Sequence, residues 1–123
     1  MMPTRRPRRV YEVGEEPDPR FTLANERTLL AWLRTALALV VAGVAVVALS
    51  DLVSPAWLVE VIAVVAFVGG GMTVILAYVQ WGRVERAMRL GAPMPAGAGG
   101  LVVIATILGI ALISAFALVR SFP

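Results

Sequence analysis

The sequence predicts an all-α integral membrane protein of three helices, the first carrying an amphipathic extension at its N-terminal end. Three observations carry that reading. Of the 123 residues, 59% are hydrophobic and 15% charged, with a mean hydropathy of +0.85; soluble domains are about 45–50% apolar and about 25% charged. The apolar residues fall in three long runs, more than a small globular core uses. The arginines gather in the N-terminal segment, the first helix and the second connector, the distribution of a topology signal rather than of a nucleic-acid-binding surface, so the net charge of +3 and pI of about 10.6 imply no nucleic-acid partner.

Residues 1–19 are polar and broken by Pro3, Pro7, Pro17 and Pro19. Arg5, Arg6, Arg8 and Arg9 come first, then Glu12, Glu15, Glu16 and Asp18. Such a segment lacks the apolar surface to fold alone, so it is expected to be a disordered cytoplasmic tail. Its basic cluster either marks topology or lies on an anionic leaflet. No apolar stretch directly follows the arginines, so a cleavable signal peptide is not expected.

Asp18-Pro19 predicts a helix start, Asp as the N-cap and Pro at the first helical position. The three-span membrane domain is expected over residues 20–123. Its first uncharged run, residues 35–50, is shorter than the ~20 residues a span needs. The first span is therefore expected at about 29–50, which draws Trp32 and Arg34 toward the hydrocarbon. Ser50, Asp51, Ser54 and Pro55 form a turn, and the second span is expected at about 56–80, with Trp57 near one end and Tyr78 and Trp81 near the other as interfacial belts. Gly69, Gly70 and Gly71 near its middle suit close helix packing or a local bend. Glu60, about one turn into this span, either sits with the helix N-terminus near headgroup water or partners an arginine. The connector over 82–100 carries Arg83, Glu85, Arg86 and Arg89, then a flexible GAPMPAGAGG stretch. The third span is expected at about 101–119, with Ala105 and Gly109 as a small-xxx-small packing pair. The arginine distribution places the N-terminus and second connector in the cytoplasm and the C-terminus outside.

The chain contains no Cys and no His. Thiolate chemistry, disulfides, imidazole base catalysis and metal ligation through these residues are excluded. Ser50, Ser54, Ser114 and Ser121 lack a His partner, and no Gly-rich phosphate loop is present. The chain is therefore expected to be non-enzymatic, without cofactor or metal.

The sharpest feature is the run FTLANERTLLAWLRT over residues 21–35. Arg27 and Arg34 are a heptad apart, so on a helix they lie about 20° from one meridian and roughly 10.5 Å apart along the axis; Arg20 continues the spacing. Neither Arg27 nor Arg34 has a carboxylate at i±3 or i±4 on its own helix, and Glu26 points to a different sector. Their counter-charge comes from lipid phosphates, another helix or subunit, or an anionic ligand. Arg20, Glu26, Arg27 and Arg34 are accordingly the candidates for anion binding or inter-subunit ion pairing.

NERTLLAWLRTALAL, residues 25–39, resembles the signature of the small YidH-type inner-membrane proteins, a family of unknown function. The likeness covers most of the chain, with the polar N-terminal segment, the signature on the first helix and three spans. The same domain is similar to the transmembrane part of the eukaryotic vacuolar transporter chaperone, a polyphosphate polymerase complex. There, three-helix units surround a polyanion path lined by basic residues of the first helix. That resemblance implies matching positions at Arg27 and Arg34, with Glu26 as a counter-charge; no soluble polymerase domain is expected here, so synthesis is not implied. The expectation is an oligomeric inner-membrane subunit, a homo-oligomer in the bilayer, whose first-helix arginines engage an anion, with phosphate or polyphosphate in view. The alternative is a structural or regulatory partner that docks on another membrane protein.

Overall fold

A computed structural model describes residues 4–123; residues 1–3, which include Pro3 of the expected tail, lie outside the described residues. The described residues are helical, without strands: a short α1 (Arg8–Tyr11), then α2 (Pro19–Ala48), α3 (Ala56–Leu90) and α4 (Gly99–Ser121). The last three are long and apolar enough to cross a membrane. At 1.5 Å per residue, α3 is about 52 Å long against ~30 Å of hydrocarbon, so it projects well beyond the apolar layer.

α2 begins where the sequence places it. The Asp18 side chain accepts a hydrogen bond from the Arg20 amide at 2.9 Å, and Pro19 takes the first helical position. A 3₁₀ turn, Ser50–Leu52, joins α2 to α3. α3 continues well past the expected end near residue 80, to Leu90. No proline interrupts residues 56–90, and Gly91, in the left-handed conformation at φ 64°, closes the helix. Gln80 Nε2 donates to the Pro95 carbonyl at 2.9 Å and holds the following connector against the helix.

α3 is the central element, contacting both α2 and α4. Its two faces come together closely where side chains are absent. A Cβ on Gly70 would meet the Ala36 carbonyl of α2 at 3.1 Å and Val40 at 2.9 Å, and one on Gly69 would collide with the Thr106 side chain of α4. Thr106 and Thr73 turn their hydroxyls back onto the carbonyls of Val102 and Gly69 at 2.7 Å, so neither hydroxyl is left unpaired. Of the expected packing residues, Gly69 and Gly70 therefore mediate helix contacts, and Gly109 approaches Val65 at ordinary contact distance. Gly71 and Ala105 are exposed, and no atom lies within 4 Å of a Cβ built on Gly71. The helix through the three glycines is unbroken.

Residues 4–18 differ from the disordered tail expected of them. Val10 is 2% exposed, packed with α1 against α3, so one apolar residue and the polar anchors described below hold the segment on the bundle.

Gly69→Ala is expected to lower the midpoint of thermal unfolding in detergent, at a cost of roughly 1–3 kcal/mol from overpacking against Thr106. Gly71→Ala, into open space, is expected to leave the midpoint unchanged or raise it slightly. Equal effects of the two would show that the α3–α4 approach does not depend on the missing Cβ.

Candidate functional site

The motif on α2 splits by helical phase. Asn25, Trp32 and Leu39 are successive heptad positions on the side that meets α3, and Asn25 and Leu39 are buried. Arg20, Arg27 and Arg34 form the ladder on the opposite side and are exposed. Arg20 pairs with its own cap residue, its Nη2 lying 3.3 Å from Asp18 Oδ2. Arg27, Arg34 and Glu26 form no ion pair among the described residues. The structure thus keeps Glu26 apart from the arginines and leaves both cations facing outward.

The inward side of the same segment builds a polar cluster that spacing along α2 does not reveal. Its centre is Glu85 of α3, whose side chain is fully buried. Thr22 Oγ1 donates to Glu85 Oε1 at 3.1 Å, and Asn25 Nδ2 is shared between Glu85 Oε2 at 3.5 Å and the Trp81 carbonyl at 3.1 Å. Arg89, one turn further along α3, brings its Nε to 3.9 Å from Glu85 Oε1. A buried carboxylate needs such partners, because desolvation otherwise outweighs any benefit of burial.

Arg89 then ties the N-terminal segment to this centre. Its Nη1 donates to the Tyr11 carbonyl at 3.2 Å, its Nη2 to Glu16 Oε2 at 3.2 Å, and its guanidinium lies 4.9 Å from the Tyr11 ring centroid. Arg5 reaches the same two residues, donating to both Glu16 oxygens at 2.7 and 2.8 Å and lying 5.0 Å from the Tyr11 ring. The backbone joins in. Glu15 N–H donates to the Arg89 carbonyl at 3.0 Å, one of the carbonyls that the end of α3 leaves free. Gly14, at φ 59°, makes that approach possible: a Cβ there would collide with the Arg89 carbonyl, and the left-handed backbone favours glycine independently.

The hydrogen bonds from Arg5, with Arg89 nearby, hold the Glu16 carboxyl below the ordinary glutamate value. Burial pushes the Tyr11 phenol above its ordinary value. Beside the cluster, Thr28, Leu29 and Trp32 of α2 and Gln80 of α3 line a mostly apolar cleft of about 230 Å³ that reaches Gly99 at the start of α4. Among the described residues there is no group of three or more acidic side chains placed to hold a metal ion. The arrangement is suited to holding helices and a strap in register and to turning the Arg27 and Arg34 guanidiniums outward.

By position in the sequence alone, Glu85 and Arg89 are connector charges and Asn25 is only part of a motif. The i, i+4 spacing of Glu85 and Arg89, on a stretch free of proline up to Gly91, was the signal that the helix continues and that the pair lies on it. Arg83, Arg86 and Arg89, three residues apart, have different surroundings: Arg89 is buried, whereas Arg83 and Arg86 are exposed. Glu60 is exposed and makes no ion pair among the described residues.

Arg89→Ala removes the partner of a buried carboxylate and is expected to cost about 3–5 kcal/mol. The Glu85→Ala/Arg89→Ala double variant is expected to cost less than the sum of the single changes, read by thermal unfolding in detergent; additivity would dissolve the pair. The lowered Glu16 value sets a pH dependence. Its contribution to docking the strap is full above the unfolded glutamate value and is lost as pH falls through the lower, folded one. Protection factors of the amides over residues 10–16, taken relative to the intrinsic exchange rate at each pH, are therefore expected to be high at neutral pH and to fall on acidification, and the Glu16→Gln variant is expected to lose that pH response.

The family defined as a domain of unknown function (DUF202) matches residues 20–87, a stretch that takes in α2, most of α3, the arginine ladder and Glu85. The chain is 42% identical over 88 residues to the inner membrane protein YidH of Escherichia coli (strain K12), covering 71% of this chain and 76% of that protein. It is 45% identical over 80 residues to an uncharacterized protein of Mycobacterium tuberculosis (strain ATCC 25618 / H37Rv), covering 65% of this chain and 66% of the relative. No solved structure shows significant similarity to it. With its motif on the first of three apolar helices and the match extending over more than half its length, the chain belongs to the DUF202 family of YidH-type membrane proteins.

Proposed function

We propose that the chain is a non-enzymatic subunit of a homo-oligomer in the cell membrane, in which Arg27 and Arg34 of neighbouring copies converge on an anion, phosphate or polyphosphate being the class that suits them. The observation that carries this reading is the pair itself. Both guanidiniums lie on the face of α2 turned away from α3, exposed and without a carboxylate within 4.0 Å among the described residues. A charge that close to hydrocarbon is costly without a partner, and the described residues supply no carboxylate.

Along the flank of α2 next to the arginines run Ala24, Thr28, Ala31, Thr35, Ala38, Ala42 and Ala45, alternating by four and three residues, with Thr28 at the rim of the cleft against α3. That is the spacing of a helix–helix seam, and small side chains allow close approach between helices in lipid. Thr28 and Thr35 return their hydroxyls to the Ala24 and Ala31 carbonyls, at 3.1 and 3.3 Å, so the seam exposes few unpaired polar groups. Packing along it sets the arginines of adjacent copies near one another. Three helices enclose no aqueous path alone, so conduction requires several copies. The N-terminal segment and second connector face the cytoplasm and the C-terminus the outside, an orientation supported by the arginine distribution.

The second reading is a structural partner of another membrane protein. It is favoured by Glu26, exposed, in a different sector from the arginines and without an ion pair among the described residues. In that arrangement Glu26, Arg27 and Arg34 pair across the interface, and charge reversal at Glu26 breaks a complex that reversal on the partner restores.

The test is reconstitution in liposomes. Wild-type protein is expected to assemble and to bind or conduct phosphate or short-chain polyphosphate. Arg27→Ala/Arg34→Ala is expected to keep the assembly, with stability within about 0.5 kcal/mol of wild type as for exposed sites, and to abolish binding and flux. Wild-type assemblies that do neither would refute the proposal.

A further inference from the structure

A second group of arginines lies on another element and another face. Arg9 from the N-terminal segment meets Arg83 and Arg86 of α3 around a cleft of about 250 Å³ whose remaining walls are Val10, Val79 and Gly82. None of the three arginines has a carboxylate within 4.0 Å among the described residues. Arg86 Nη1 donates to the Arg9 carbonyl at 2.6 Å, which fixes the strap against α3 and brings together residues 77 positions apart in sequence. Gly82 forms the floor; a Cβ there would lie 3.5 Å from Val10.

The face continues into the apolar layer. Val79, Ile75, Val68 and Val64 recur at spacings of four and seven, on the side of α3 that carries Gly82, Arg83 and Arg86. Ile75, Val68 and Val64 are exposed, and neither α2 nor α4 covers them. Val79 to Val68 spans about 16 Å along the helix, roughly half the ~30 Å hydrocarbon thickness. The stacked rings of Tyr78 and Trp81, 5.8 Å apart, stand at the level where apolar layer and basic cleft meet.

We propose that this cleft binds the phosphate headgroup of an anionic phospholipid, whose acyl chains lie along Val79, Ile75 and Val68. The arginines supply planar, bidentate donors for phosphate oxygens. The apolar stripe beneath them is what separates a lipid from free phosphate, which has no use for it. The site is complete only when the N-terminal segment is docked, because Arg9 comes from that segment. It lies apart from Arg27 and Arg34 and stands or falls independently of their anion.

The test is native mass spectrometry of the detergent-solubilised full chain titrated with dioleoyl phosphatidylglycerol or dioleoyl phosphatidylcholine. Wild type is expected to retain one phosphatidylglycerol per chain in preference to phosphatidylcholine. Arg83→Ala and Arg9→Ala, both changes at exposed side chains, are each expected to weaken retention about fivefold, and Arg120→Ala at the opposite end is expected to leave it unchanged. Inorganic phosphate in large excess is expected not to displace the lipid. Equal retention of the two lipids, undiminished retention in the Arg9→Ala/Arg83→Ala variant, or displacement by inorganic phosphate would each overturn the proposal.

Discussion

Glu85 is a fully buried carboxylate, and the segments around it are placed by its need for partners. Its oxygens lie near the Thr22 hydroxyl and the Asn25 amide on α2, and near the Arg89 guanidinium on its own helix. Withdrawing a carboxylate from water costs several kcal/mol unless donors replace the hydration, so each partner constrains an element. Thr22 and Asn25 fix the rotation and height of α2 against α3. Arg89, once committed to Glu85, is itself buried and has donors to spare, and these take the Tyr11 carbonyl and Glu16. The strap therefore docks because Arg89 is buried beside Glu85, and the end of α3 gains from it a donor for the Arg89 carbonyl.

That arrangement divides the arginines by task. Arg89 neutralises an internal charge and is lost to the surface. Arg5 secures Glu16 and Tyr11 on the strap. Arg27 and Arg34, on the far side of the helix whose inner face supplies Thr22 and Asn25, are left facing outward, and Arg9, Arg83 and Arg86 gather on the flank of α3. A single rotation of α2 thus decides both what is buried at the cluster and what is presented to the surroundings. The helix contacts deeper in the bundle are compatible with it, since Gly69 and Gly70 bring α4 and α2 close without side chains that would set a competing register.

The two surfaces also differ in what they ask of a partner. On α2 the arginines border a seam of small residues, which suits another helix. On α3 they sit above a bare apolar stripe, which suits an acyl chain. Charge alone does not separate these cases; the side chains beneath the charge do, because in lipid it is close backbone approach, not hydrophobicity, that favours helix association.

The sequence by itself determined the three apolar helices, the Asp18-Pro19 start and the heptad ladder of Arg20, Arg27 and Arg34, because hydropathy, capping and helical phase are local properties that a window of residues carries in full. The role of Gly69 and Gly70 was legible as a tendency to pack, but Gly71 and Ala105 carry the same signal and face outward, since composition does not specify which side of a helix finds a neighbour. Only the tertiary structure decided that Glu85 is buried, that Asn25 and Thr22 serve it, and that residues 4–18 fold back onto α3. Those outcomes rest on contacts between residues some 60 to 78 positions apart, and a charge that looks solvated in its own segment becomes structural when two distant donors join the arginine one turn along its own helix.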